Sequence, residues 1–129
     1  KATSVLGEGF DIEIIEKHHD QKIDAPSGTA IKTAQLITAA RRQHCSPAGS
    51  LEKIPGVRGG DFEGIHIHSV RLPGLVAHQE IIFGGEGQIL TIKHESLNRR
   101  SFLPGIIQAI RKAPKIKQLV YGMENLLDI

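Results

Sequence analysis

The chain has 129 residues, 40% of them apolar and 23% charged, which fits one globular domain built around one core. No apolar run approaches the ~20 residues of a membrane-crossing helix, so a helical span is excluded. Sixteen Lys and Arg against fourteen Asp and Glu leave a formal charge of +2, and four Phe, one Tyr and no Trp offer few rings for base stacking, which argues against a nucleic-acid partner.

The chain opens at Lys1 with neither an initiator Met nor a secretory apolar segment, so it reads as a piece of a longer protein. Lys1 to Leu6 reads as the end of a helix that stops at Gly7 or Gly9. From Phe10 to Glu16, Phe10, Ile12 and Ile14 alternate with Asp11 and Glu13, the period-two signature of a strand with one buried face. A polar stretch from Lys17 to Pro26 follows. Ser27-Gly28-Thr29 then opens a run in which Ala30, Ala34, Ile37 and Arg41 share one helical face, which predicts a long helix over about 29–43. Ser46-Pro47-Ala48-Gly49 stops it, because proline supplies no amide donor. The lone cysteine, Cys45, can form neither an internal disulfide nor a cysteine-based zinc site, so the chain reads as cytoplasmic.

After a polar connection from Ser50 to Gly60, three strand-like runs are predicted: Ile65 to Arg71, Val76 to Phe83 and Gln88 to His94. Leu72-Pro73-Gly74 and Gly84-Gly85-Glu86-Gly87 are short enough for hairpin turns, which predicts antiparallel neighbours. Phe102, Ile106, Ile107 and Ile110 trace a helical stripe with Pro104 in its first turn or at a kink, and Leu119 to Leu127 form a second short helix after Pro114. The order predicts an α+β domain: a mainly antiparallel mixed sheet, a long helix packed on one face, and two C-terminal helices, with no alternating βαβ units. The glycines from Gly84 to Gly87 open no helix, so they read as a turn and not as a phosphate loop.

The densest chemistry runs from Glu16 to Thr29, where the first strand ends and the long helix begins. The free amides of a helix's first turn and the positive end of its dipole favour an anion. Ser27 and Thr29 add hydroxyl donors, Gly28 permits close approach to the backbone, and His18, His19 and Lys22 can all donate protons. Each feature has a plain structural reading: Ser27 as an N-cap, Asp24-Ala25-Pro26 as a turn, and the two histidines as a surface pair. Their conjunction points to a site for a carboxylate or phosphate.

The segment His18-His19-x-x-Lys22-x-Asp24-Ala25-Pro26-Ser27-Gly28-Thr29-Ala30 resembles the signature of the 4-hydroxy-tetrahydrodipicolinate reductases, also called dihydrodipicolinate reductases, of the diaminopimelate and lysine pathway. The resemblance continues through Gly64-Ile65-His66, Ser69-Val70-Arg71, Gly74 to Gln79, Phe83 to Gly87 and Leu126 to Ile129. It implies that residues 1–129 are the C-terminal domain, which binds a small cyclic dicarboxylate and assembles a homotetramer through its sheet. By the same resemblance NADPH or NADH belongs to an N-terminal nucleotide-binding domain, so no cofactor is expected on this fragment and it should be inactive alone. Residues 1–9 and about 100–129 would pack on that absent domain. His18 would be the proton donor or acceptor, Lys22 a proton donor, and His19, Lys22, Ser27, Gly28 and Thr29 substrate contacts.

Two other readings compete. His66 and His68, two apart on one strand, resemble the opening of a cupin metal motif, with His78 or His94 on the following strands as further ligands. Against it, Leu72 and Pro73 stand where the motif wants a glutamate, and a long early helix is foreign to that fold. The third reading is a purely structural oligomerisation module whose exposed sheet is covered by copies of itself.

Overall fold

A computed structural model describes residues 1–41 and 51–127. The chain divides into two compact units, Lys1–Glu95 and Ser96–Ile129. The first begins with α1 (Ala2–Leu6), closed by Gly7 at φ +73° and followed by a 3-10 turn over Gly7–Gly9. Then come β1 (Asp11–His18), α2 (Gly28–Ala40), β2 (Gly60–Phe62), β3 (Ile65–Arg71), β4 (Ala77–Gly85) and β5 (Gln88–Ser96). The five strands form one sheet in the order β2-β3-β1-β4-β5.

β1 lies at the centre, parallel to β3 and antiparallel to β4. In register, Ile14 meets Ile67 on one side and Ile81 on the other, so the apolar phase of three strands falls on one sheet face. Ile12, Ile14, Ile65, Ile67 and Phe83 are buried together with Ala30, Ala34 and Ile37 of α2, the helical face expected from the spacing. Small alanines at two of those positions let the helix backbone come close to the sheet. Burying a side chain the size of Ile14 contributes roughly 1.5–3 kcal/mol, so this one-sided core holds the unit. At the C-terminal end of α2, Arg41 Nη2 donates to the Phe10 carbonyl at 2.6 Å, tying the helix to the entry of β1.

The mixed α+β sheet with its packed helix agrees with the sequence expectation, and four details differ. β2 is an added strand, three residues paired antiparallel to β3. Leu72-Pro73-Gly74 is no hairpin turn, because β3 and β4 lie on opposite sides of β1; the Gly84–Gly87 turn does join sheet neighbours, with Gly87 at φ +67°. β1 and β3 are parallel and separated in the chain by α2, so one βαβ-type crossover stands where none is expected. The helix ends at Ala40, with Arg41 extended at φ −82°, ψ 142°. The positions beyond Arg41 to which it was expected to run, and Cys45 with the Ser46–Gly49 stop, lie outside the described residues.

The second unit holds a 3-10 turn at Arg99–Phe102, α3 (Leu103–Lys112), a further 3-10 turn at Ala113–Lys115 and α4 (Met123–Leu127). Pro104 falls in the first turn of α3, where its missing amide costs nothing. The last helix is shorter than expected: residues 119–121 are irregular, Gly122 adopts φ +92°, which a helix cannot include, and α4 begins at Met123. No helix among the described residues is long and apolar enough to cross a membrane.

Candidate active site

The C-terminal end of β1 meets the N-terminus of α2 at a charged cluster organised by Glu16. Glu16 follows the phase of Ile12 and Ile14, so it points to the core side of the sheet and has no exposed surface. A buried carboxylate is costly unless every oxygen is satisfied. Arg71, last residue of β3 and the register partner of His18, meets it with both terminal nitrogens: Nη2 to Oε1 at 2.7 Å and Nη1 to Oε2 at 2.9 Å. The Ser27 amide adds a bond to Oε1 at 3.3 Å, and His18 Nδ1 lies 2.5 Å from Oε2. Burial pushes the Glu16 carboxyl up, but the hydrogen bonds from Arg71 and His18 and the Arg71 charge outweigh it and hold the group below the ordinary glutamate range.

The connection between β1 and α2 is bound to the same cluster. Arg71 Nη2 also donates to the Asp24 carbonyl at 2.7 Å, and Leu72 N donates to the His18 carbonyl at 3.1 Å. Lys22 Nζ sits 2.7 Å from both oxygens of Asp24, and its hydrogen bond holds the Asp24 carboxyl below its usual range. Ser27 is buried and extended at φ −64°, ψ 150°, and its hydroxyl accepts from Ala30 N at 3.3 Å, so it is an N-cap in fact. Gly28 opens α2; a Cβ placed there would meet no atom within 4 Å, so nothing on the protein demands glycine and the space before the first turn is open.

The fold therefore gathers the expected residues unevenly. His18 and Ser27 converge on Glu16, Gly28 and Thr29 lie exposed on the first turn of α2, and Lys22 enters through Asp24. His19 is half-buried just beyond β1, and its ring is bonded to none of these groups. Glu16 and Arg71 escaped the sequence reading of the site. The available signal was a charge standing in the apolar phase of a strand: Glu16 after Ile12 and Ile14, Arg71 after Ile65 and Ile67.

The histidines of the competing metal reading have other surroundings. His68 Nε2 bonds Glu13 Oε2 at 2.9 Å, and Arg58 pairs with the other Glu13 oxygen. His78 is buried 3.5 Å from Glu95, and His94 lies on exposed β5. Among the described residues no three His, Cys, Asp or Glu side chains gather as a metal centre. A single five-stranded sheet with a parallel pair at its heart is no jelly roll, which overturns the cupin reading.

Comparison with known proteins agrees with this architecture. The family model described as dihydrodipicolinate reductase, C-terminus, matches residues 1–127. The chain is 61% identical over 118 residues to the 4-hydroxy-tetrahydrodipicolinate reductase of Lysinibacillus sphaericus, covering 91% of this chain and 44% of that protein. It is 58% identical over 116 residues to the enzyme of the same name from Moorella thermoacetica, covering 90% and 43%. A dipicolinate-bound dihydrodipicolinate reductase from Paenisporosarcina sp. TG-14 superposes with a TM-score of 0.81 at 53% identity, covering 96% of this chain and 48% of that one. The chain thus spans less than half the length of these relatives. From its parallel β1–β3 pair to the His18–Thr29 segment, it belongs to the family of dihydrodipicolinate reductase C-terminal domains.

Proposed function

We propose that this chain is the substrate-binding and oligomerisation domain of a cytoplasmic reductase that converts 4-hydroxy-tetrahydrodipicolinate to tetrahydrodipicolinate in diaminopimelate and lysine biosynthesis. The observation that carries the reading is the union at Glu16 of a histidine ring and the capped N-terminus of α2. One supplies a proton, the other binds an anion, and reduction of a small cyclic dicarboxylate needs both. The neighbour of similar fold is itself described as bound to dipicolinate, a planar dicarboxylate.

In this reading a substrate carboxylate lies before the first turn of α2, against the amides of Gly28 and Thr29 and the hydroxyls of Ser27 and Thr29, the Ser27 amide being held by Glu16. Lys22 leaves Asp24 to meet it, His19 adds a donor, and His18 moves the proton. The family's cofactor is NADPH or NADH. The described residues do not fit it: the Gly84–Gly87 turn joins β4 to β5 and opens no helix, and the β1–α2 junction carries the single glycine Gly28 in place of a G-x-G-x-x-G run. As the family resemblance implies, cofactor binding would fall to a separate nucleotide-binding domain, which would leave this chain inactive alone. Phe102, Ile106, Ile107 and Ile110 are 44–64% exposed and Leu119 is 96% exposed, which supports residues 100–129 as a surface for that domain, together with residues 1–9.

The titration that tests this uses pyridine-2,6-dicarboxylate, a planar mimic of the substrate. It should bind this chain, and Lys22→Ala should weaken it by about 1.5–3 kcal/mol, the scale of a hydrogen bond to a charged group. A variant that binds as tightly as the parent removes Lys22 from the site, and no binding by the parent sinks the substrate assignment.

Assembly as a homotetramer is supported by β5, whose residues from Gln88 to Glu95 are all exposed, Ile89, Leu90 and Ile92 among them. An uncovered apolar edge strand favours pairing with another copy. Sedimentation at micromolar concentration should give the mass of four chains; a monomeric mass contradicts it.

A further inference from the structure

We propose that Glu16 is a positioning residue that fixes the neutral His18 imidazole with its hydrogen on Nδ1, making Nε2 the atom through which a proton enters or leaves, while Arg71 keeps Glu16 an acceptor only. The inference rests on the reading of His18 as the proton-transferring group, and it deepens that reading by naming the atom.

The donor count carries it. Glu16 Oε1 receives Arg71 Nη2 at 2.7 Å and the Ser27 amide at 3.3 Å, while Oε2 receives Arg71 Nη1 at 2.9 Å and faces His18 Nδ1 at 2.5 Å. A guanidinium cannot give up its charge and only donates. A carboxylate gripped at both oxygens by such a fork is ionised and only accepts, so the hydrogen shared with His18 belongs to the imidazole. The fork itself is anchored: Arg71 Nη1 donates to the Val70 carbonyl at 2.8 Å and Nη2 to the Asp24 carbonyl at 2.7 Å. The His18 backbone is held by Leu72 N at 3.1 Å, so both ends of the histidine are fixed.

The proton count closes without moving Glu16. A doubly protonated His18 gives up the hydrogen on Nε2 and is left neutral with Nδ1–H still on Glu16; reprotonation from solvent at Nε2 restores it. The same carboxylate accepts from the Ser27 amide, so the proton-transferring ring and the anion-binding turn of α2 share one anchor. A glutamine at this position cannot reproduce the arrangement. Its amide nitrogen must replace one oxygen, and either choice sets a donor against Arg71 and against His18 Nδ1 or the Ser27 amide.

The test uses the full-length reductase that carries this domain. With 15N-labelled histidine, the His18 signals are assigned by their loss in His18→Ala and followed to the pH at which the ring is neutral. A protonated Nδ1 and a bare Nε2 are expected; a neutral ring with its hydrogen on Nε2 overturns the inference, and this reading needs no Glu16 variant to fold. The second arm compares Glu16→Gln in the parent and in His18→Ala. A fall in kcat of about tenfold or more in the parent and less than about twofold in His18→Ala is expected, because a residue acting through His18 has nothing to position once that ring is gone. Equal falls in both backgrounds assign Glu16 a merely structural role and overturn the inference. If His18→Ala alone leaves kcat unchanged, the proton-transfer reading of His18 fails, and the nitrogen spectrum still decides which atom bears the hydrogen.

Discussion

Replacing Arg71 with Met is expected to destabilise the first unit by about 3–5 kcal/mol at neutral pH, the scale for breaking a buried ion pair by removing one partner. Glu16 has no exposed surface, and two of the contacts that keep it ionised come from Arg71. Because the folded-state pKa of Glu16 is depressed, its stabilisation is fully present above the unfolded value and is lost as pH falls through the folded one. The variant lacks that contribution and leaves a buried charge behind, so its deficit is greatest at neutral pH. With Arg71 gone, burial pushes the orphaned carboxyl up, so its protonation relieves the charge from above the ordinary glutamate value of about 4.3, and by about pH 4 the deficit should have narrowed. Urea unfolding at both pH values measures this; a deficit under about 1 kcal/mol, or one that ignores pH, would mark the pair as no stronger than a surface ion pair.

In the full-length reductase, His18→Ala should lower kcat by about 10²- to 10⁴-fold, the usual range for a positioned proton donor. The affinity for pyridine-2,6-dicarboxylate should change far less, because a group that acts mainly in the transition state contributes little to ground-state binding. Steady-state kinetics beside an inhibitor titration separate the two. A kcat close to the parent's would strip His18 of its role, and an equal loss in both quantities would make it a binding residue.

Most of the core could be read from local patterns because each element buries a single stripe. The alternation at Ile12 and Ile14, the spacing of Ala30, Ala34 and Ile37, and the bounds of β3 at Ile65 and Arg71 all follow from periods of two and 3.6. Strand partners were not legible, since a period-two pattern states which side is apolar and is silent on whether a neighbour runs parallel. β2 stayed hidden because Gly60-Asp61-Phe62 is too short to show a period at all. β1 reaches to His18, beyond the apolar alternation, because Lys17 and His18 continue the ladders to Val70 and Arg71 on one side and His78 and Ala77 on the other.

The site was legible where chemistry and helix-start signals coincide, at His18, Lys22, Ser27, Gly28 and Thr29. It was illegible where a charge is buried by partners remote in the chain. Glu16 gains its surroundings from Arg71 at the end of another strand, and no window along the sequence contains both. The phase of Glu16, in step with Ile12 and Ile14, is the one local sign that it turns inward.

The central place of β1 bears on how the domain is made. It is the first strand of this sheet in chain order, yet its partners, β3 and β4, are made only after α2 and a long connection, and β4 is paired with it from Asp11–Gly84 to His18–Ala77. A nascent chain released before Gly85 would carry Ile12 and Ile14 on a strand with one side unpaired, an open edge that other chains can add to. The pairings that can form locally, β2 with β3 through Glu63-Gly64 and β4 with β5 through Glu86-Gly87, leave β1 out. Closure of the sheet around β1 must therefore wait for loops spanning most of the first unit, which makes the domain a slow folder for its size and places the hazard of aggregation in the interval between synthesis of β1 and arrival of β4.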